Sequence, residues 1–279
     1  MKQLNFDLSK TPPNISQTFT SLEGEGNAIG QTSVYLRLGG CFSAACTFCD
    51  TKFSWGNAPS FQKIGDPALE TTLIESMVGS KPKRMTITGG EPMHYLKWFP
   101  DIFKWVDGLS PEGLEHLGIE SNGNLLSDKH KCMDLIKSFN HIINEYNVKP
   151  TLTISPKLDS ESCYEGQLTQ LEVDEIYYNA FHNMTHYLQQ YDIYYKFIYQ
   201  DKIYNNELMD FNHQQKYIDL LINKLGVSRK NILLMPFTPE DPLGTDKDFW
   251  EGSKDATSRK SLEIGCTYSP RIQVDRRLD

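Results

Sequence analysis

Three cysteines fall within nine residues of one another: Cys41, Cys46 and Cys49. They follow a strand-like run from Thr32 to Leu38 and a Gly39-Gly40 turn. Cysteine thiolates hold iron–sulfur clusters, and a cubane cluster takes a ligand on each of its irons. Three local thiolates without an adjacent fourth describe a cluster with one iron left open to a small molecule. About forty residues further on, Thr88-Gly89-Gly90-Glu91-Pro92 closes a second strand-like run. Glycines there let backbone approach a ligand closely, although Gly-Gly before Glu-Pro also makes an ordinary turn into a helix.

Other uses of the triplet fit less well. Zinc sites usually take four ligands in two separated pairs. The remaining cysteines, Cys132, Cys163 and Cys266, are scattered singly, and no histidine lies near the triplet. They read as small buried hydrophobes. A disulfide framework is not expected from 6 cysteines in 279 residues without a secretory leader. The net charge of −8 argues against a nucleic-acid surface, and no apolar run is long enough for a membrane span. The start, MKQLNFDLSKTPP, has no signal-peptide core, so a reducing, cytoplasmic setting is expected.

The elements that must position these residues alternate. Strand-like runs at 33–38, 84–88, 116–120, 152–155, 194–199 and 231–236 are separated by amphipathic stretches that include 68–77, 95–106, 129–145 and 207–225. Such alternation predicts βαβ units around a parallel sheet. Six units are too few for a closed eight-stranded barrel, so the fold class expected is α/β, a partial (β/α)6 TIM-like barrel. One domain over 1–279 is expected, with an N-terminal extension at 1–20 and a C-terminal segment at about 238–279 associated with substrate or a dimer.

In parallel α/β folds, ligands bind at the carboxyl ends of the strands. The predicted strands here end in the cysteine loop, in Gly89-Gly90-Glu91, in Glu120-Ser121-Asn122-Gly123, in Ser155-Pro156-Lys157, in Gln200-Asp201 and in Phe237-Thr238. Each piece alone is weak: Ser-Asn-Gly is a common turn, and Lys157 on its own reads as a solvated lysine. Converging on one rim, they form a chemically coherent set. Arg37 could hold a carboxylate in a bidentate pair, or simply form an ion pair between strands.

The cysteine triplet with Gly-Gly-Glu-Pro is characteristic of radical S-adenosylmethionine (SAM) enzymes, and the chain resembles one family of them, the 7-carboxy-7-deazaguanine synthases. The likeness runs through Ser21-Leu22-Glu23-Gly24-Glu25-Gly26, Tyr35-Leu36-Arg37-Leu38, Cys49-Asp50-Thr51, Thr88-Gly89-Gly90-Glu91-Pro92, Glu120-Ser121-Asn122-Gly123, Ser155-Pro156-Lys157, Lys196-Phe197 and Tyr268-Ser269-Pro270-Arg271. It implies a lyase that contracts the ring of 6-carboxy-5,6,7,8-tetrahydropterin to 7-carboxy-7-deazaguanine, losing ammonia, in queuosine-type biosynthesis. Cys41, Cys46 and Cys49 would hold a [4Fe-4S] cluster whose open iron binds SAM.

By the same resemblance, Phe48, Cys49, Asp50, Gly89, Gly90, Glu91, Ser121, Asn122, Ser155, Pro156 and Lys157 would contact SAM. Thr51 would bind Mg²⁺. Leu22, Glu23, Gly24, Glu25, Arg37 and Thr88 would form the pterin pocket. A flavodoxin-like electron donor and a homodimer are further implications, with no nucleic-acid or membrane partner. The chain departs from the family's pattern in three places. Four residues rather than three separate Cys41 from Cys46, Glu23 replaces the usual Gln, and Arg271-Ile272-Gln273 replaces an Arg-Leu-His run. The alternatives are a glycyl-radical-activating radical SAM enzyme acting on a protein and a non-enzymatic zinc-stabilised module.

Overall fold

The computed structural model describes residues 12–41, 46–56, 60–201 and 211–276. In chain order they form β1 (Asn14–Leu22), β2 (Thr32–Leu38), β3 (Gln62–Lys63), α1 (Pro67–Ser80), β4 (Arg84–Gly89), α2 (Phe99–Leu109), β5 (His116–Ser121), α3 (Lys129–Tyr146), β6 (Pro150–Ile154), α4 (Ser160–Tyr164), α5 (Gln170–Tyr187), β7 (Asp192–Tyr199), α6 (Phe211–Asp219), β8 (Ile232–Pro236), α7 (Lys247–Ile264), β9 (Thr267–Tyr268) and α8 (Ile272–Arg276). One sheet runs in the order β3-β1-β2-β4-β5-β6-β7-β8-β9. From β2 onward the strands are parallel, while β1 pairs antiparallel with β2 and β3 antiparallel with β1. Among the described residues the edges β3 and β9 do not pair, so the sheet stays open.

The six expected strands are β2 and β4 through β8. What differs lies at the two ends of the chain. Residues 14–22, most of them expected within an extension, form a strand between β3 and β2 whose mixed exposure hides the period-two signal. Its register on β2 sets Phe19 opposite Tyr35 and Gln17 opposite Arg37. Residues 1–11 of that expected extension lie outside the described residues, as do 207–210 of the helix expected over 207–225. At the other end, 238–279 contributes α7, the edge strand β9 and α8. The helix expected over 95–106 begins only at Phe99, because Pro92 opens a 3₁₀ segment and Pro100 favours a fresh first turn.

The central strands read as continuous apolar runs because helices cover the sheet. Helix α1 buries Leu69, Leu73 and Met77, spaced four apart on one face, and Asp66 caps it by accepting from the Ala68 and Leu69 amides. Helix α3 buries Cys132, Leu135, Phe139 and Ile142. Truncating one such core leucine to alanine would cost about 2–5 kcal/mol. Within this frame Glu23 and Arg84 form a buried ion pair at 3.2 Å, with side chains only 4% and 8% exposed. Tyr35 and Thr86 also donate to Glu23, and Arg84 reaches Thr151. Gly118 makes room for the guanidinium, since a Cβ there would stand 2.4 Å from Arg84 Nη2. No helix among the described residues is long and apolar enough to cross a membrane.

Candidate active site

At the carboxyl ends of the parallel strands lies a cavity of about 430 Å³. Cys41, Cys46 and Cys49 line it together with Phe48, Asp50, Thr51, Gly89, Gly90, Glu91, Ser121, Asn122, Ser155 and Lys157. So do Leu22, Gly24, Glu25, Arg37 and Thr88. Two residues named from the sequence do not. Pro156 is absent from the lining, and the Glu23 carboxylate is committed to Arg84, Thr86 and Tyr35. The backbone of Glu23 is also occupied, its N–H donating to Gln31 and its carbonyl accepting from Gly30. The Glu23 carboxylate is thus turned to the buried Arg84 and away from the cavity lining.

The cysteine loop and the Gly-Gly-Glu turn are stitched together by backbone. Gly90 N–H donates to the Leu38 carbonyl at 2.8 Å, and Glu91 N–H to that of Gly40 at 2.7 Å. Gly89 has φ +113°, and a Cβ there would meet Leu38 N at 2.4 Å. A Cβ on Gly90 would meet the Gly40 carbonyl oxygen at 2.1 Å. The glycines are thus required first by the close approach of the protein's own loops, and only then by any ligand.

Glu91 is a hub. Its Oε1 accepts from Ser121 Oγ at 2.6 Å and from Met93 N–H at 2.9 Å, and its Oε2 from Asn122 N–H at 2.8 Å. Burial pushes its carboxyl up, and these donors oppose that shift. The Ser121 hydroxyl also accepts from Gly123 N–H. Glu91 and Ser121 therefore tie two rim loops together, which leaves little of either for a ligand ammonium or ribose.

The three thiols share this cavity. Among the described residues, no three His, Cys, Asp or Glu side chains already stand in metal-binding geometry. Trp55 Nε1 donates to Cys49 Sγ at 3.2 Å, as does Thr51 N–H at 3.4 Å, which suits a thiolate sulfur. Burial and the Glu91 carboxylate push Cys41 up to about 12, with Lys157 pulling the other way. Cys163, packed beside Cys46, holds Cys46 down to about 7. Cys163 is buried on α4, and Ser162 of that helix accepts from Thr47 N–H at 2.8 Å. Helix α4 thus braces the cysteine loop through the Ser162 carbonyl, with the Cys163 sulfur beside Cys46. Lys157 Nζ lies 5.5 Å from the Phe48 ring centroid, and its N–H is held by Tyr177.

Also in the lining, Glu25 is bonded to Lys196, to Arg271 Nε at 3.1 Å and to Gln273 Nε2 at 3.0 Å. Burial alone would raise its carboxyl, but the Lys196 and Arg271 charges overcome that and hold it at about 2. Arg271 also donates to Asp50 at 2.7 Å and to Thr238 at 2.8 Å, clamping the C-terminal segment onto the cysteine loop. The Asp50 carboxylate is thereby turned to Arg271. Thr88 donates to Glu120, whose other oxygen lies 3.6 Å from Lys196. Arg37 lies 5.4 Å from the centroid of Phe19, which stacks on Tyr35 at 4.8 Å. Among the described residues, Arg37 Nε is buried without a partner.

Among curated proteins, the 7-carboxy-7-deazaguanine synthase of Prochlorococcus marinus is 37% identical over 175 residues, covering 58% of this chain and 76% of that one. The chain belongs to the 7-carboxy-7-deazaguanine synthase family. The synthase of Hyperthermus butylicus is 27% identical over 226 residues, 81% of this chain and 77% of that one. No family model matches. The crystal structure of QueE from Escherichia coli shares the fold with a TM-score of 0.50 at 18% identity, covering 93% of each chain.

A 7-carboxy-7-deazaguanine synthase is a radical SAM enzyme, with a [4Fe-4S] cluster and SAM as cofactors. The residues present fit both. Three thiols open onto one cavity, two donors already serve the Cys49 sulfur, and the lining offers glycine backbone and a lysine. Sequence reasoning set Glu120 on the rim and noted Gln273 where relatives carry histidine, but it did not assign Phe19, Tyr35, Lys196 or Arg271 to the site, although all of them line it. Lys196 alone carried a local signal, a cation in the middle of an otherwise apolar parallel strand.

Proposed function

We propose that this chain contracts the ring of 6-carboxy-5,6,7,8-tetrahydropterin to 7-carboxy-7-deazaguanine with loss of ammonia, in queuosine-type 7-deazapurine biosynthesis. One observation carries the reading: the cavity that holds the three cysteines is also lined by Arg37, a cation with no carboxylate partner among the described residues. A carboxylated heterocycle supplies the missing anion. When bound, the reduced cluster and SAM supply a radical that takes a hydrogen atom from the pterin.

The chain's own residues do the rest. Cys41, Cys46 and Cys49 ligate the cluster. Gly90, Ser155 and Lys157 face SAM from the rim, with Phe48 against Lys157. Arg37, positioned by the Phe19–Tyr35 stack, grips the pterin carboxylate in a charge-assisted pair. Thr88, Glu120 and Lys196 form a bonded row that orients the ring. The Thr51 hydroxyl lines the cavity and is a suitable oxygen ligand for Mg²⁺. A homodimer, a flavodoxin-like donor and a cytoplasmic location complete the proposal.

The test is anaerobic incubation of the reduced, cluster-loaded protein with SAM and the carboxytetrahydropterin, followed by mass spectrometry. 7-Carboxy-7-deazaguanine should form; SAM cleavage with the pterin unchanged would refute the reading. Cys46→Ala should assemble no cluster, and an iron and sulfide content equal to wild type would remove Cys46 from the ligand set.

A further inference from the structure

Among the described residues, Cys49 Sγ is met by two N–H groups, the Trp55 indole Nε1 at 3.2 Å and the Thr51 backbone at 3.4 Å. The Thr51 hydroxyl lies 3.6 Å from the same sulfur. A neutral thiol is a weak acceptor, whereas a thiolate that ligates a metal carries charge and takes stronger hydrogen bonds. An indole nitrogen only donates, so the direction of the Trp55 bond is fixed by chemistry. Every residue but proline brings a backbone N–H. The indole is the N–H donor that the choice of side chain supplies.

The loop that carries the cysteines holds this donor in place. Cys41 N–H donates to the Trp55 carbonyl at 3.0 Å, and Gly40 N–H to that of Ser54 at 2.8 Å. Trp55 N–H donates to the Lys52 carbonyl at 3.1 Å. Ser54, fully buried, gives both its N–H and its hydroxyl to the Thr51 carbonyl, at 2.9 and 2.8 Å. Residue 55 therefore grips Cys41 by its backbone and Cys49 by its side chain, at the lining of the cavity. Fixed donors to a ligand sulfur tune the reduction potential of an iron–sulfur cluster, together with charge and solvent exposure.

We propose that Trp55 is a positioning residue that acts through Cys49: its indole N–H, bonded to Cys49 Sγ, raises the reduction potential of the cluster. The inference rests on Cys49 being a cluster ligand and goes beyond that by naming what sets the ease of reduction. Reduction adds one electron, taken from a low-potential one-electron donor that is itself oxidised, and no covalent bond or proton has to move. The added negative charge is shared with the ligand sulfurs. An N–H aimed at one of them therefore stabilises the reduced state more than the oxidised one. Without that donor the oxidised state is favoured, and the midpoint falls.

The experiment is an anaerobic redox titration of the cluster-loaded protein without SAM, read by the electron paramagnetic resonance signal of the reduced cluster. Iron and sulfide are determined on every sample. The variants are Trp55→Phe and Trp55→benzothienylalanine, the second introduced by codon suppression so that a sulfur replaces the indole N–H while the ring shape is kept. Both should retain iron. At a fixed potential their reduced-to-oxidised ratio should fall roughly three- to tenfold, a midpoint about 28–59 mV more negative for one electron. A residue that only packs would leave the midpoint of the isosteric variant where wild type has it. An unchanged or raised midpoint in that variant overturns the proposal, as does loss of iron from both variants, which would make Trp55 a structural brace. Should one variant lose iron, the other decides; should the two disagree, the isostere does. Wild-type protein that takes up no iron, or wild-type iron content in Cys49→Ala, would overturn the ligand assignment itself, a distinct result.

Discussion

Two glutamates, two residues apart in the chain, end in opposite circumstances. Glu23 lies in the packed interior, met by Arg84, Thr86 and Tyr35, with every neighbour supplied by the fold. Glu25 stands in the cavity wall, bonded to Lys196, Arg271 and Gln273, which line the cavity with it. Both carboxylates are buried and paired, so neither burial nor ion pairing separates structure from function here. Position does: Glu23 is absent from the cavity lining, whereas Glu25 and all three of its partners line it.

The contrast can be broken most severely at Glu23. Glu23→Ala leaves the Arg84 guanidinium buried and unpaired, and should destabilise the protein by about 3–5 kcal/mol. Chemical denaturation checks this, and a paired Glu23→Leu/Arg84→Met replacement should recover much of the loss. A Glu23→Ala protein of normal stability but without pterin binding would place Glu23 in the site after all. Arg37→Ala should leave cluster iron intact and weaken pterin binding roughly 10- to 100-fold, the range for a lost charge-assisted bond. Loss of iron instead would make Arg37 a structural residue.

Lys196→Met removes one of the two cations on Glu25. Because Arg271 and Gln273 remain, a smaller loss of about 1–3 kcal/mol is expected, read by thermal melting with enthalpy correction. The smallest effect is that of pH on this wall. The folded Glu25 carboxyl is held at about 2 against an ordinary value of 4.5. Its stabilisation is therefore complete above about pH 5 and is lost as pH falls from there through about 2. Melting temperature in wild type minus Lys196→Met should be constant at neutral pH and shrink on acidification within that window.

Much of this was legible in the sequence because it rests on local chemistry. The cysteine spacing, the Gly-Gly-Glu-Pro turn and the apolar runs of β2 and β4 through β8 each declare themselves within a few residues, and the parallel order then carries their ends to one rim. The antiparallel strand β1 did not declare itself. Its half-exposed pattern imitates a loop, and only its pairing with β2 creates the Phe19–Tyr35–Arg37 stack. Glu23 and Glu25 were equally good substrate candidates as letters. Cys163 looked like core filling until α4 set it beside Cys46.

By itself, the sequence determined the type of chemistry: which atoms can hold a cluster, and that six strand–helix units present them together. Tertiary structure decided the assignment of partners. Residues 221 to 248 positions apart meet only when the end of the chain folds back, so that Arg271 and Gln273 reach Glu25 and Asp50. Covalent order fixes which functional groups exist. The hydrogen-bonding valence each has left to spend depends on neighbours brought close by packing, and no local pattern encodes that remainder.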